Sequence, residues 1–138
     1  MCEAANVLVV DDDDTVRLAH QRSLMSGGRC YVEAAESGDR ALRAMERKPF
    51  DVVLLDLKMP GMDGISVLKA MKQRWPESEV VVITGYPTVE SAKEAVRLGA
   101  YDYLAKPVGP GELIDATKRA VTQKRWALHR DTTIESRC

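Results

Sequence analysis

The sequence predicts an α/β fold: a doubly wound, five-stranded parallel sheet with helices on both faces. Short apolar runs alternate with longer amphipathic stretches along the 138 residues. Runs such as residues 7–10 and 52–55 are apolar at every position, as expected of strands that helices cover on both sides. Five strand–helix units in about 120 residues favour parallel pairing through right-handed crossovers.

Each predicted strand is a short run of apolar or β-branched residues bounded by polar or turn-forming ones. The third strand is the clearest, because its apolar core lies between Asp51 and Asp56. The second is weaker, as is typical of a strand at the edge of a sheet. The five predicted strands are residues 7–10, 30–34, 51–56, 80–83 and 101–105.

The stretches between the strands show helical spacing and helix boundary signals. Ser37 and Thr88 are predicted to cap the second and fourth helices, and Pro110 suits the first turn of the fifth. The residues predicted to end the first four helices are Gly27 with Gly28, Pro49, Pro76 and Gly99. The apolar residues that define the first and last helices are Val16, Leu18, Ala19, Leu24 and Met25, then Leu113, Ile114, Ala120 and Val121.

Composition excludes several classes of protein. The 20 Lys and Arg residues against 21 Asp and Glu leave a formal net charge of -1, so we expect no direct nucleic-acid or membrane binding by this domain. The three cysteines form no metal-type pair and are expected to be reduced thiols. With no predicted signal peptide and no apolar run long enough to cross a bilayer, we expect a cytoplasmic protein.

Polar residues follow four of the predicted strands: Asp11 and Asp12, then Asp56, Thr84 and Lys106. The carboxyl ends of the strands in such a sheet share one edge, where ligands bind. Three carboxylates there would repel one another unless a cation lies between them, and oxygen ligands of this kind suit Mg²⁺. An ammonium and a hydroxyl beside a carboxylate nucleophile predict a site for a phosphoryl group.

Four segments carry a resemblance to a known family: VLVVDDDD at 7–14, DVVLLDLKMPGMDG at 51–64, VVVITG at 80–85 and YLAKP at 103–107. In this order and spacing they resemble the receiver domain of two-component response regulators. The resemblance covers residues 5–122 and implies a flavodoxin-like sheet with strand order 2-1-3-4-5. It leaves residues 123–138 as a helical extension of the domain, a linker or a frayed tail.

The resemblance implies a role for each residue at the strand ends. Asp56 matches the phosphoacceptor of the family. Asp11 and Asp12 resemble the acidic pair that binds Mg²⁺ together with Asp56, and the backbone carbonyl of Lys58 completes that metal site.

The resemblance also implies a switch. Thr84 matches the hydroxyl that turns toward the phosphoryl group, and Lys106 matches the lysine that pairs with it. Tyr103 occupies the aromatic switch position, and Pro107 follows Lys106 in a peptide bond that the family usually holds cis. A bulky Tyr86 and a long Lys58 are expected to screen the phosphoryl group from water and slow its loss.

The function implied by the resemblance is transfer of a phosphoryl group from the phosphohistidine of a histidine kinase, or from a phosphotransfer protein, to Asp56. The surface formed by the fourth helix, fifth strand and fifth helix is then expected to change and to contact a partner, a second copy or an output domain absent from this chain. Residues 84–107 resemble receivers of enhancer-binding activators, which indicates transcription regulation.

Three alternatives remain open on the sequence. Asp11 and Asp13 after an apolar strand also fit a haloacid-dehalogenase-like phosphatase, with Asp11 as nucleophile and Asp13 as general acid. A flavodoxin-like FMN binder is disfavoured, because four successive aspartates would repel a phosphate. A receiver that only docks partners is disfavoured by the complete set of site residues.

Several polar residues have simpler interpretations. Asp13 and Asp14 are expected to cap the first helix. Asp51 and Asp63 are expected to be cap or surface residues. His20 is expected to be a solvated side chain on a helix surface.

Overall fold

The computed structural model describes residues 5–27, 30–59 and 62–137. The strands are β1 (Ala5–Val10), β2 (Cys30–Ala35), β3 (Val52–Leu55), β4 (Glu79–Thr84) and β5 (Asp102–Ala105). The helices are α1 (Asp14–Gly27), α2 (Gly38–Arg47), α3 (Gly64–Arg74), α4 (Val89–Arg97) and α5 (Pro110–Arg137). Between β3 and α3, Lys58–Met59 pairs antiparallel with Met62–Asp63.

The five strands form one parallel sheet in the order β2-β1-β3-β4-β5. This order confirms the predicted doubly wound fold and places β2 and β5 at the edges. The register pairs Val10 with Leu55 and Thr84 with Ala105, so the carboxyl ends of β1, β3, β4 and β5 reach the same edge of the sheet. The residues that follow those ends are therefore neighbours in space.

Helices cover both faces of the sheet. Successive side chains of a strand point to opposite faces, so Val53 and Leu55 of β3 join one core cluster, and Val52 and Leu54 join the other. The first cluster includes residues of α2, α3 and α4, and the second includes residues of α1 and α5. This double burial is the physical reason for the uninterrupted apolar runs of the sequence.

Side-chain caps begin four of the helices. The carboxylate of Asp13 accepts hydrogen bonds from the first backbone N–H groups of α1, and Ser37, Asp63 and Thr88 do the same for α2, α3 and α4. Such a cap contributes about 1 kcal/mol to helix stability. The predicted caps at Asp13, Ser37 and Thr88 are confirmed, and Asp63, expected to be a cap or surface residue, is the cap of α3.

One prediction about α1 was wrong. His20, expected to be a solvated side chain on the helix surface, is buried, whereas the apolar Leu18 and Met25 of the same helix are exposed. His20 and Leu24 are four residues apart, so they share the helical face that packs on the sheet. The apolar residues that define α1 therefore do not all lie on its buried face.

Further observations concern the length of α5 and the surroundings of Asp51. α5 continues to Arg137, so residues 123–137 are helical. Asp51, expected at a cap or on the surface, is partly buried and hydrogen-bonded to Asn6 and Lys124. Among the described residues, no helix combines the length and apolar character needed to span a membrane.

Gly64 holds the loop after β3 against the start of α3. Its N–H donates to the carbonyl of Leu57 at 3.1 Å, and a Cβ at this position would lie 2.3 Å from the Leu57 Cα. Backbone atoms cannot yield as a flexible side chain does, so only glycine fits without a shift of the loop.

We therefore expect Gly64→Ala to lower the free energy of unfolding by about 1–3 kcal/mol, the usual cost of overpacking. Urea denaturation measures this change. Gly111→Ala is the matched control, because no atom lies within 4 Å of the added Cβ in the first turn of α5. Equal stability of the two variants would contradict the steric role of Gly64.

Candidate functional site

Three carboxylates meet at the carboxyl edge of the sheet. Asp11 and Asp12 follow β1, Asp56 follows β3, and one oxygen from each lies within 4.8 Å of the others. Asp11 and Asp56 are 2% and 4% exposed, whereas Asp12 is open to solvent. β1 and β3 are adjacent strands, so the two buried carboxylates lie side by side.

Backbone hydrogen bonds hold the two buried aspartates in place. The N–H of Asp56 donates to the Val10 carbonyl at 3.1 Å, which ties the residue to β1. One oxygen of each side chain accepts a backbone N–H two residues later: Asp13 donates to Asp11 Oδ1 at 2.9 Å, and Lys58 donates to Asp56 Oδ1 at 3.0 Å. The carboxylates are therefore oriented before any ligand binds.

Lys106 bridges the two buried carboxylates. Its Nζ lies 2.8 Å from Asp11 Oδ2 and 3.2 Å from Asp56 Oδ2. The lysine follows β5, and its N–H donates to the Thr84 carbonyl at 2.8 Å. The Lys106–Pro107 peptide bond is cis.

The electrostatics of the site follow from burial and from these contacts. Burial raises the pKa of Asp56, with a further contribution from the charge of Asp11, and the Lys58 N–H and Lys106 offset only part of the effect. Burial alone would lower the pKa of Lys106, but its hydrogen bond to Asp11 and the charges of both aspartates outweigh burial and raise it. Lys106 therefore stays protonated at neutral pH.

The charges at the site fit a divalent cation. Three carboxylates face one ammonium, so two negative charges remain uncompensated when all are ionised. Carboxylate oxygens are the ligands that Mg²⁺ prefers, and the group contains neither sulfur nor imidazole. The donor set at this edge therefore suits Mg²⁺.

Thr84 lies at the same edge, at the end of β4. Its side chain is buried, and its Oγ1 accepts the N–H of Tyr86 at 3.1 Å. Because the hydroxyl oxygen acts as the acceptor in this bond, its proton is available for donation to another group.

Tyr103 connects β5 to the start of α4. Its ring is partly buried against the core cluster on the α4 side, and its hydroxyl is hydrogen-bonded to Ser91 Oγ. The N–H of Thr88, the α4 cap, also reaches the Tyr103 hydroxyl at 3.4 Å. Sequence reasoning identified Tyr103 but missed Ser91 as its partner. The position of Ser91 three residues after the capping threonine was the available signal.

The side chains of Lys58 and Tyr86 lie next to each other. The Lys58 ammonium is 5.0 Å from the centroid of the Tyr86 ring, a cation–π distance, although the two residues come from separate loops. Tyr86 is 70% exposed. The structure thus brings together the two residues that were expected to screen the phosphoryl group.

His20 is a site neighbour that sequence reasoning placed elsewhere. It is buried in α1, and burial lowers its pKa; the charge of Asp11 opposes this effect and that of Lys106 adds to it. A neutral imidazole therefore lies within electrostatic range of the carboxylates at neutral pH. Neither the apolar pattern of α1 nor any motif indicated this position.

Comparison with known proteins agrees with this geometry. The family model described as the response regulator receiver domain matches residues 7–118. The response regulator protein FleR of Pseudomonas aeruginosa is 41% identical over 116 residues, 84% of this chain and 24% of FleR. The DNA-binding transcriptional regulator NtrC of Salmonella typhimurium is 39% identical over 116 residues, with the same coverage. The crystal structure of a CheY-like receiver domain protein from Methanospirillum hungatei has a TM-score of 0.87 at 27% identity, and the match covers 91% of this chain and 99% of that one.

The chain belongs to the response regulator receiver domain family. Receiver domains of this family are phosphoacceptor switches of two-component systems. The phosphatase alternative, with Asp11 as nucleophile, is not supported. The chain spans about a quarter of the length of the curated relatives it matches, 24% of each.

The raised pKa of Asp56 makes stability depend on pH. Asp56 keeps its proton to a higher pH in the folded protein than in the unfolded chain. Its contribution to stability is therefore lost as the pH rises from the ordinary aspartate pKa, about 4, through the raised pKa of Asp56 in the folded protein. Asp56→Asn removes that loss. We expect the variant to be more stable than the parent at pH 7 by on the order of 1 kcal/mol, with the gap closing near pH 4.

Urea unfolding at both pH values, with EDTA present, measures the difference. The exposed Asp12→Asn is the matched control and should change stability little. A variant Asp56→Asn that is less stable than the parent at pH 7 would contradict the electrostatic description of the site.

Proposed function

We propose that Asp56 accepts a phosphoryl group from the phosphohistidine of a sensor histidine kinase or phosphotransfer protein. The observation that carries this proposal is the Lys106 ammonium, which contacts Asp56 and Asp11 at the edge where Asp12 also lies. Asp11, Asp12 and Asp56, with the Lys58 backbone carbonyl, are the proposed Mg²⁺ ligands. When bound, Mg²⁺ neutralises the negative charge that gathers on the transferring group.

The chemistry required of the chain is nucleophilic displacement at phosphorus. A carboxylate oxygen of Asp56 forms the new P–O bond as the P–N bond of the phosphohistidine breaks, and the bonding pair leaves with the imidazole. The product is a mixed anhydride, an aspartyl phosphate. Lys106, already protonated and within reach, pairs with the added negative charge in place of the carboxylates.

The proposed switch begins at Thr84. Its hydroxyl proton is available, so a phosphoryl oxygen on Asp56 attracts the side chain and draws it toward the site. That movement vacates space beside Tyr103, which then turns inward. The change is a shift of population between two arrangements of the same residues.

The contacts of Tyr103 link this switch to α4. An inward turn of the ring breaks its hydroxyl contacts with Ser91 and Thr88 at the amino end of the helix. α4 forms part of the surface made by α4, β5 and α5, and its Val89 and Val96 are 66% and 67% exposed. We therefore place the phosphorylation-dependent contacts on this α4-β5-α5 surface, with an output domain, a partner or a second copy in a homodimer.

We further propose that residues 5–122 are the receiver domain and that residues 123–138 extend it. The parent function proposed is transcription regulation, supported by the relatedness of the chain to NtrC and FleR. In that arrangement another part of the protein binds nucleic acid. This domain, proposed to be cytoplasmic, controls the activity of that part.

Chemical labelling tests the acceptor. We expect incubation with a small phosphoryl donor and Mg²⁺ to label the peptide that contains Asp56, as detected by mass spectrometry of the intact chain and its digest. EDTA and Asp56→Asn should each abolish the label, whereas the exposed Asp39→Asn, outside the site, should leave it unchanged. Label on Asp11 that survives in Asp56→Asn would overturn the proposal in favour of the phosphatase mechanism.

The contact between Lys58 and Tyr86 predicts slow hydrolysis of the aspartyl phosphate. We expect Tyr86→Ala to shorten the lifetime of the phosphorylated state several-fold, because on this proposal the ring limits the access of water to the phosphoryl group. The loss of label after removal of the donor measures the lifetime. Val89→Ala, another exposed apolar residue nearby in sequence, is the control. An unchanged lifetime in Tyr86→Ala would show that the ring does not screen the anhydride.

A further inference from the structure

α5 carries a lysine on the face that it buries against the sheet. Leu113, Ala116, Thr117 and Ala120 are fully buried on this face. Lys124 follows Ala120 by four residues and so continues the same stripe. Its side chain is only 18% exposed although it is charged. A partly buried charge is stabilised by a partner, and the structure provides one.

The partner is Asp51, the residue before β3. Lys124 Nζ lies 2.5 Å from Asp51 Oδ1, and the other carboxylate oxygen accepts the N–H of Asn6 at 2.8 Å. The backbone of Asp51 is also held on both sides: its N–H donates to the Asn6 carbonyl, and its carbonyl accepts from Glu79. These hydrogen bonds from neighbouring segments therefore fix the Asp51 carboxylate independently of Lys124.

The Asp51 carboxylate is ionised at neutral pH. Burial would raise the pKa of Asp51, but the hydrogen bonds from Lys124 and Asn6, with the charges of Lys124 and Arg125, outweigh burial and lower it. A short, partly buried and charge-assisted hydrogen bond is stronger than an ion pair on the open surface. This contact joins residues 73 positions apart in the chain.

Apolar packing of α5 weakens at this point. In residues 121–127, the part of α5 after Ala120 whose side chains the structure describes, none is fully buried, and Val121 is only partly buried against the core cluster. The Lys124 contact with Asp51 therefore ties α5 to the sheet beyond the point where its fully buried stripe ends.

We propose that Asp51 and Lys124 form a clamp that fixes the direction in which α5 leaves the domain. The clamp consists of this ion pair and the hydrogen bond from Asn6. It holds residues 121–127 against the base of the sheet, which is the end at which the strands begin. α5 then continues beyond the domain as a rigid helix. A displacement of the helix is therefore transmitted along its length and is not lost in a bend where the helix leaves the domain.

The clamp is independent of the phosphorylation site. It lies at the opposite end of β3 from Asp56, and Lys124 is beyond residue 118, where the match to the family model ends. Its test can therefore fail or succeed without regard to the proposed phosphoryl transfer.

Hydrogen exchange on the unphosphorylated 138-residue chain tests the proposal. Asp51→Asn keeps an acceptor for the Asn6 N–H but removes the ion pair, and Lys124→Met keeps the apolar stem. We expect each to speed amide exchange in residues 121–127 by about three- to tenfold, while exchange in β1 and β3 stays unchanged. The double variant should be no faster than either single one. Lys118→Met, which removes an equal charge from an exposed position of the same helix, should have no effect.

Two results would overturn the clamp. Unchanged exchange in residues 121–127 of Lys124→Met would show that the pair does not hold the helix. Exchange that rises equally in β1, β3 and α5 would show that the pair stabilises the whole fold and has no local role in positioning. If Asp51→Asn fails to fold, Lys124→Met alone decides between these outcomes.

Discussion

The structure depends on one contact above all, the Lys106 ammonium between the carboxylates of Asp11 and Asp56. Two buried carboxylates on adjacent strands repel each other, and the lysine at the end of β5 compensates one of their charges. The sheet order makes this possible, because β1 and β3 are adjacent and the remaining strands bring β5 to the same edge. The negative charge that remains fits a divalent cation, and an arriving phosphoryl group finds an ammonium already within reach.

The same edge connects the site to the surface. Thr84 and Lys106 are joined through their backbones, and Thr84 and Tyr103 lie on the paired strands β4 and β5. The hydroxyl of Tyr103 then reaches Ser91, a member of the capping box that begins α4. A change of charge at one carboxylate thus has a short physical route to the exposed apolar residues of α4. At the other end of β3, Asp51 holds the helix that leaves the domain.

Much of the fold and of the site could be predicted from the sequence, because both follow from local patterns. Apolar runs identify the buried strands. Parallel pairing brings Asp11, Asp56 and Lys106, which each follow the end of a strand, to one edge of the sheet whatever the details of packing. Contacts that depend on the rotation of a helix or on distant pairing could not be predicted. The burial of His20 depends on how α1 rests on the sheet, and the pairing of Asp51 with Lys124 joins residues far apart in the chain.

The most direct test of the role of Lys106 is a crystal structure of the chain with Mg²⁺ and beryllofluoride, a stable mimic of the phosphoryl group. We expect beryllium bonded to Asp56, the metal held by Asp11, Asp12 and Asp56, and a fluorine atom in contact with Lys106 and Thr84. Beryllium on Asp11, or a Lys106 side chain that still bridges the two carboxylates and makes no contact with the mimic, would contradict the proposed arrangement.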